Sequence, residues 1–277
     1  VLAELDPERD YWPSSPHTPG ELRDDHSNQN IGDAHLWAVW HGRQPFEWYR
    51  TSHSRFCSEF GFQSFPEPRT CYAFADPGER NVSGYVMDLH QRSGIGNTVI
   101  MQYMMSWFPL PTGFENTVWM SQILQGLAMK YAVEHWRRNV PRCMGALYWQ
   151  LNDCWPGPSW ASIDYFGRWK ALHYMARRFF APVLLSGVED REKGRVDVHL
   201  GNDLRDAVSG TVRWEITDAT GLLLGSGEAP VEMPPGKSRR VLRVDCRECL
   251  RERGDRDVLV WLTYTGGDTV DAENLVM

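Results

Sequence analysis

Residues 55–64 read Arg-Phe-Cys-Ser-Glu-Phe-Gly-Phe-Gln-Ser, an apolar run broken by one carboxylate, Glu59, with Gly61 just behind it. The pattern suits a buried strand whose end delivers a single acid into a cavity. Taking an ionised carboxylate out of water is costly unless hydrogen bonds or neighbouring charges hold it, so Glu59 is a candidate for nucleophilic or acid–base chemistry. The competing reading is a scaffold ion pair between Glu59 and Arg55.

A second segment, residues 145–169, gathers Tyr148, Trp149, Gln150, Asn152, Asp153, Trp155 and Trp160. Ala146 to Leu151 has strand composition, and Asn152, Asp153 and Pro156-Gly157-Pro158 stop it. Aromatic rings and amide or acid groups therefore meet at one strand end. That combination suits a sugar, whose C–H faces stack on flat rings and whose hydroxyls need polar partners. A third strand-like run, Ala34 to Trp40, also ends in aromatics.

Four pieces closely resemble the β-mannosidases, retaining glycoside hydrolases of the family that also holds β-galactosidases and β-glucuronidases. They are Tyr11-Trp12-Pro13-Ser14-Ser15-Pro16, Gly32-Asp33-Ala34-His35-Leu36-Trp37, Ser58-Glu59-Phe60-Gly61-Phe62-Gln63-Ser64 and Tyr148-Trp149-Gln150-Leu151-Asn152-Asp153-Cys154-Trp155. The resemblance runs in order over residues 8–182 and rests on architecture beyond them. It implies a (β/α)8 barrel with Glu59 as nucleophile at the end of the seventh strand and Trp149 flooring the sugar site at the end of the eighth. His35 and Trp37 would end the sixth strand and Trp12 would follow the fifth, since barrel enzymes collect catalytic groups at strand C-termini. His35 and Asp153 are candidates for sugar hydroxyls, although Asp153 is equally suited to capping the loop around Pro156.

The implied reaction is removal of terminal non-reducing β-D-mannose from oligosaccharides or glycoconjugates, with retention through an ester on Glu59. Glu59 would stay ionised with help from donors such as Arg55 or a strand-end hydroxyl. The chemistry requires no metal or other cofactor. Two other readings remain open: a β-galactosidase or β-glucuronidase, and a non-catalytic carbohydrate-binding remnant. The sequence also departs from the family. Retention needs two carboxyls about 5–5.5 Å apart, and in β-mannosidases the acid/base is the Glu of an Asn-Glu pair ending the fourth strand. No Asn-Glu dipeptide occurs here; Glu115-Asn116 and Glu273-Asn274 have the reverse order. The expectation is the second half of a barrel that lacks its acid/base, is poorly active alone, and has the remainder of its own catalytic domain as a partner.

The elements that would hold these groups are legible in outline. A complete barrel takes about 250 of the 277 residues available, yet only residues 1–182 look like barrel, leaving 183–277 for a second domain. Residues 1–31 read as a polar connection, and Gln44 to Arg50 as a short helix. Residues 65–116 read as a long loop-rich insert walling the pocket, with His90, Gln91, Arg92 and Asn97 as candidates to reach substrate. Residues 117–138 form an amphipathic helix with Met120, Ile123, Leu124, Leu127 and Tyr131 on its apolar stripe. Arg168 to Phe180 forms another, with Trp169, Leu172, Met175, Ala176 and Phe179 inward, closed by Pro182. Short runs follow at Val196–Leu200, Gly210–Ile216, Leu222–Gly225, Ser238–Val244 and Val258–Tyr264, predicting a β-sandwich with Trp214 and Trp261 in its core; the resemblance implies that this domain is immunoglobulin-like.

The formal charge of −7 argues against a nucleic-acid partner, and no apolar run approaches a membrane span. Six cysteines include one Cys246-Arg-Glu-Cys249 pair, which alone cannot close a tetrahedral zinc site.

Overall fold

The computed structural model describes residues 1–19, 27–266 and 269–277, the side chains of 269–271 excepted. It divides into two compact units, one holding residues 1–136 and 142–176, the other 137–141 and 177–277.

The first unit opens with a one-turn helix, α1 (Leu2–Leu5), followed by a connection of which residues 20–26 lie outside the described residues. Two short parallel strands come next, β1 (Ala34–His35) and β2 (Cys57–Glu59), with Ala34 opposite Cys57 and His35 opposite Glu59. The 3-10 helix Phe46–Thr51 lies between them, near the short helix expected there. A third parallel segment joins β2 through a bridge from Cys57 to Ala146. Its hydrogen bonds run Cys57 N–H to Gly145 O at 3.0 Å, Leu147 N–H to Cys57 O at 2.9 Å and Trp149 N–H to Phe60 O at 2.7 Å. These three neighbouring segments, with their crossovers, are part of a (β/α)8 barrel.

Both flanking strands are shorter than their composition suggests. Ala34 to Trp40 was expected to be continuous, yet after His35 the chain turns, with His41 N–H bonded to Trp37 O at 2.8 Å. That turn swings Trp37 towards Glu59. Ala146 to Leu151 bonds its β2-side neighbour only as far as Trp149. Beyond it, backbone bonds pass to the loop at Trp160 and Ser162.

The insert between β2 and the long helix is helical, not loop-like. It contains α2 (Pro68–Tyr72), a 3-10 turn at Pro77–Glu79, α3 (Tyr85–His90) and α4 (Gly96–Trp107). In α4, Val99, Ile100, Tyr103 and Met104 are buried at helical spacing. Its glycine, β-branched and aromatic residues have modest helix propensity, which tertiary packing overrides. Helix α5 (Phe114–Arg138) starts three residues earlier than expected, and α6 (Ala171–Phe179) sits within the second predicted helix. In α5 the expected apolar stripe is only partly inward: Leu124, Leu127 and Tyr131 are buried but Ile123 is exposed.

Polar residues replace the missing apolar contacts. Gln125 donates to Phe62 O at 2.8 Å and Trp160 O at 3.0 Å and accepts from Ser64 at 2.7 Å. Gln122 accepts the Ala171 N–H and Ser121 the Phe65 N–H. The helix thereby satisfies backbone groups that irregular strand ends would leave unpaired.

The second unit is an antiparallel sandwich. Strands β3 (Val183–Asp190), β4 (Arg195–Asn202) and β7 (Lys237–Asp245) form one sheet in the order β3-β4-β7. The other has the order β6-β5-β8-β9, from β5 (Val208–Thr217), β6 (Leu223–Met233), β8 (Leu259–Gly266) and β9 (Thr269–Val276). A helix, α7 (Arg247–Arg253), links β7 to β8. Strands β3 and β9 have no counterpart in the sequence reading. Val183 to Gly187 are buried without alternation, which hides a period of two. Strand β6 runs through Gly225, Gly227 and Pro230, which an edge strand accommodates. Trp214 packs against the core, but Trp261 does not join it: the indole is 44% exposed, on the opposite side of its strand from Val260 and Leu262.

Candidate active site

Glu59 ends β2 with its side chain 24% exposed. Trp37 donates its indole N–H to Oε1 at 2.9 Å, and His35 Nδ1 lies 3.5 Å from the same oxygen. His35 ends β1 opposite Glu59 and Trp37 lies in the turn that follows, so the early end of that strand is what brings Trp37 in. Among the described residues Oε2 has no partner. One carboxylate oxygen is thus fixed and the other open. Arg55, expected as a partner, is exposed; the donor that holds Glu59 is Trp37, with the His35 ring beside it.

Beneath these residues lies a second carboxylate. Asp33 is buried and accepts four hydrogen bonds: from Trp12 Nε1 at 3.1 Å, the His17 N–H at 2.8 Å, Ser15 Oγ at 2.6 Å and Ser58 Oγ at 2.6 Å. Desolvation raises its pKa, but the bonds from Ser15, Ser58, His17 and Trp12 outweigh it and bring the value down to about 2. Ser15 Oγ also sits 3.1 Å from His35 Nε2. With its own proton committed to Asp33, Ser15 accepts there, which makes Nε2 a donor and orients the ring facing Glu59. A chain of contacts therefore runs from Asp33 through Ser15 and His35 to Glu59.

Gly61 explains how three aromatics crowd together behind the carboxylate. A Cβ at this position would lie 2.5 Å from Trp149 O, 2.9 Å from Trp37 Cη2 and 3.0 Å from Trp160 Cδ1. Trp37 and Trp160 meet edge to face at 6.2 Å, and the Trp149 ring remains 44% exposed. Asp153 is engaged within its own loop, accepting from Ser159 Oγ at 2.6 Å and Gln150 Nε2 at 3.3 Å. Burial raises its pKa, and Ser159, Lys170 and Gln150 oppose that rise. Lys170 is wholly buried, donates to Ser159 O at 3.1 Å, and is lowered to about 8 by desolvation against the attraction of Asp153 and Asp164.

The insert is tied to this loop. His90 Nδ1 donates to Pro156 O at 2.6 Å, and the ring lies between Phe74 at 3.8 Å and Trp155 at 5.1 Å. Arg92 covers Trp155 at 4.5 Å, while Gln91 bonds Gln63 and Asn97. The polar groups of His90, Gln91 and Asn97 are thus largely spent within the insert and on its contacts to Gln63 and Pro156.

Of the residues expected in the site, His35, Trp37 and Glu59 are in direct contact, and Trp12 joins through Asp33. Trp149 adjoins them through its backbone beside Gly61, and Asp153 stays with its loop. Asp33, Ser15, Ser58 and Lys170 escaped the sequence reading. The first three lie inside the quoted motifs, so the signal was present, but nothing in spacing shows that two serines converge on one aspartate.

Residues 194–277 match the family model described as the Mannosidase Ig/CBM-like domain. Beta-mannosidase B of Aspergillus flavus is 35% identical over 188 residues, 66% of this chain and 22% of that protein. The crystal structure of a β-D-mannosidase from Dictyoglomus thermophilum superposes with a TM-score of 0.88 and 30% identity, covering 100% of this chain and 33% of that one. An exo-chitosanase from Amycolatopsis orientalis shares the fold, with a TM-score of 0.69 at 15% identity over 84% of this chain and 29% of its own. The chain spans about a fifth of the length of the curated relatives it matches. With this identity to curated relatives, the domain match over residues 194–277 and a superposition along its whole length, the chain belongs to the β-mannosidase family of glycoside hydrolases.

Proposed function

We propose that this chain carries the nucleophile side of a retaining exo-β-mannosidase site. The observation that supports it is the division of labour within Glu59: Oε1 is held by Trp37 and faces His35, while Oε2 is open. A carboxylate so held can attack an anomeric carbon without first being reoriented, which lowers the entropic part of the barrier. Trp149 would stack on the mannose ring, and His35 and Trp12 would border it, with β-mannoside oligosaccharides or glycoconjugates as substrates.

Protonation of the leaving oxygen is a separate requirement. Asp33 is the carboxylate nearest in the hydrogen-bond network, but a pKa of about 2 keeps it ionised and unsuited to donate a proton near neutrality. The site described here therefore supplies attack but not acid assistance. The prediction is a split by leaving group. The chain releases dinitrophenolate, which needs no proton, from dinitrophenyl β-mannoside, and leaves alkyl β-mannosides uncleaved. Equal rates on both would contradict the division of roles. Faster reaction with the galactoside or glucuronide would assign the chain to a different exo-glycosidase.

A further inference from the structure

Trp261 is exposed for no reason that the sandwich core supplies. Its neighbours in β8, Val260 and Leu262, fill the inner face together with Val212 and Ile216 of β5. Strand alternation puts Trp261 on the outer face, directly opposite Glu215 in the antiparallel register. Its indole N–H donates to Thr217 Oγ1 at 3.0 Å, which fixes the ring. Around it lies an open cavity of about 400 Å³, within the range of small-molecule sites.

One wall of this cavity is the hairpin turn 218–221, and it is stiff. Asp218 Oδ1 accepts from Thr220 N–H at 2.9 Å, Thr220 Oγ1 at 2.6 Å and Leu222 N–H at 3.0 Å. The Ala219 N–H is anchored to Asp257 at 3.0 Å. Glu215, by contrast, is exposed, and its carboxylate is engaged by none of the described residues.

We infer that this concavity is a saccharide-binding site, distinct from the residues around Glu59 and independent of whether Glu59 acts as a nucleophile. A hexopyranose ring would lay its C–H face on Trp261. Two of its hydroxyls would meet Glu215 as acceptor and the Thr220 hydroxyl, whose lone pairs remain available while its proton goes to Asp218. The carboxylate selects neutral sugars over acidic ones. A protein partner fits less well, because a specific interface buries about 800 Å² on each side, whereas this site is one aromatic ring wide and walled. The ligand class is a neutral β-linked oligosaccharide, bound without being cleaved.

The test is titration of the whole chain with β-1,4-mannotetraose, followed by NMR of the tryptophan indole N–H resonances. Wild type is compared with Trp149→Ala, Trp261→Ala, Trp261→Phe and Glu215→Lys. The inference predicts binding that survives Trp149→Ala, weakens at least tenfold in Trp261→Ala and in Glu215→Lys, and returns to within about threefold of wild type in Trp261→Phe. Glu215→Lys changes a solvent-facing side chain, so it reads the site even if Trp261→Ala disturbs the sheet. Binding unchanged in both Trp261→Ala and Glu215→Lys overturns the inference. So does binding lost only in Trp149→Ala, or self-association that Trp261→Ala abolishes with no sugar bound.

Discussion

Asp33 touches no reacting atom in this account, so replacing it separates order from attack. Asp33→Asn keeps the shape but removes a charged acceptor of four hydrogen bonds. The expected loss is about 2 kcal/mol of stability, measured by urea unfolding at neutral pH. Its folded pKa is depressed from 3.8 to about 2, so the stabilisation is complete above pH 4 and vanishes as pH falls towards 2. The gap between wild type and variant should close over that window. Lys170 has the opposite consequence. Its pKa falls from 10.5 to about 8 on folding, so the unfolded chain binds more protons between those values and stability rises with pH there. The Lys170→Met variant should lack that rise when unfolding midpoints are compared from pH 8 to 10.5; an identical slope in both proteins would show that Lys170 is not desolvated. The sequence disclosed Glu59 because an isolated acid in an apolar run is visible one residue at a time. It could not disclose Asp33, whose role depends on serines 18 residues before it and 25 after it converging in space.

At the scale of elements, the short strands matter as much as the long helices. A continuous strand from Ala34 to Trp40 would have carried Trp37 along the sheet; ending the pairing at His35 lets its indole reach Glu59. Gly61 is the matching condition on β2, and Gly61→Ala tests it. The added methyl would press on Trp149 O and Trp37, with an expected cost of about 1–3 kcal/mol and a weaker hold on Glu59. Thermal unfolding reads the first effect, and the rate of dinitrophenyl β-mannoside attack reads the second. An unchanged melting temperature would mean that the three aromatics do not crowd there. Helix α5 was legible because a 3.6-residue period survives over its 25 residues, and α6 because Leu172, Ala176 and Phe179 keep the same spacing over a shorter span. Helix α4 was obscured by its poor helix formers, and β3 by burial without alternation. Strand β9 was obscured by Glu273 and Asn274, the latter buried and bonded to Leu185 O at 2.7 Å. The polar inner face of α5 was unreadable for a related reason. Gln122 and Gln125 look solvent-facing until the strand ends they satisfy are in place.

For the whole molecule, the division of roles follows from where the chemistry sits. We propose residues 1–182 as part of the catalytic barrel and 183–277 as the sandwich domain, whose core residues, from Val183 to Val276, all come from that segment. In the proposed reaction the barrel segments supply Glu59 as nucleophile, the Trp37 indole that holds it and Trp149 as the aromatic floor. The sandwich contributes a separate face with its own exposed indole. Mannoside hydrolysis by this arrangement rests on Glu59 forming a covalent bond to the sugar, and a reagent that needs no acid assistance tests that bond directly. The folded chain should be treated with 2,4-dinitrophenyl 2-deoxy-2-fluoro-β-D-mannoside and its peptides read by mass spectrometry. The account predicts a fluoromannosyl ester on Glu59 that disappears in Glu59→Gln. An ester on any other residue, or an unlabelled Glu59 at saturating reagent, would contradict it.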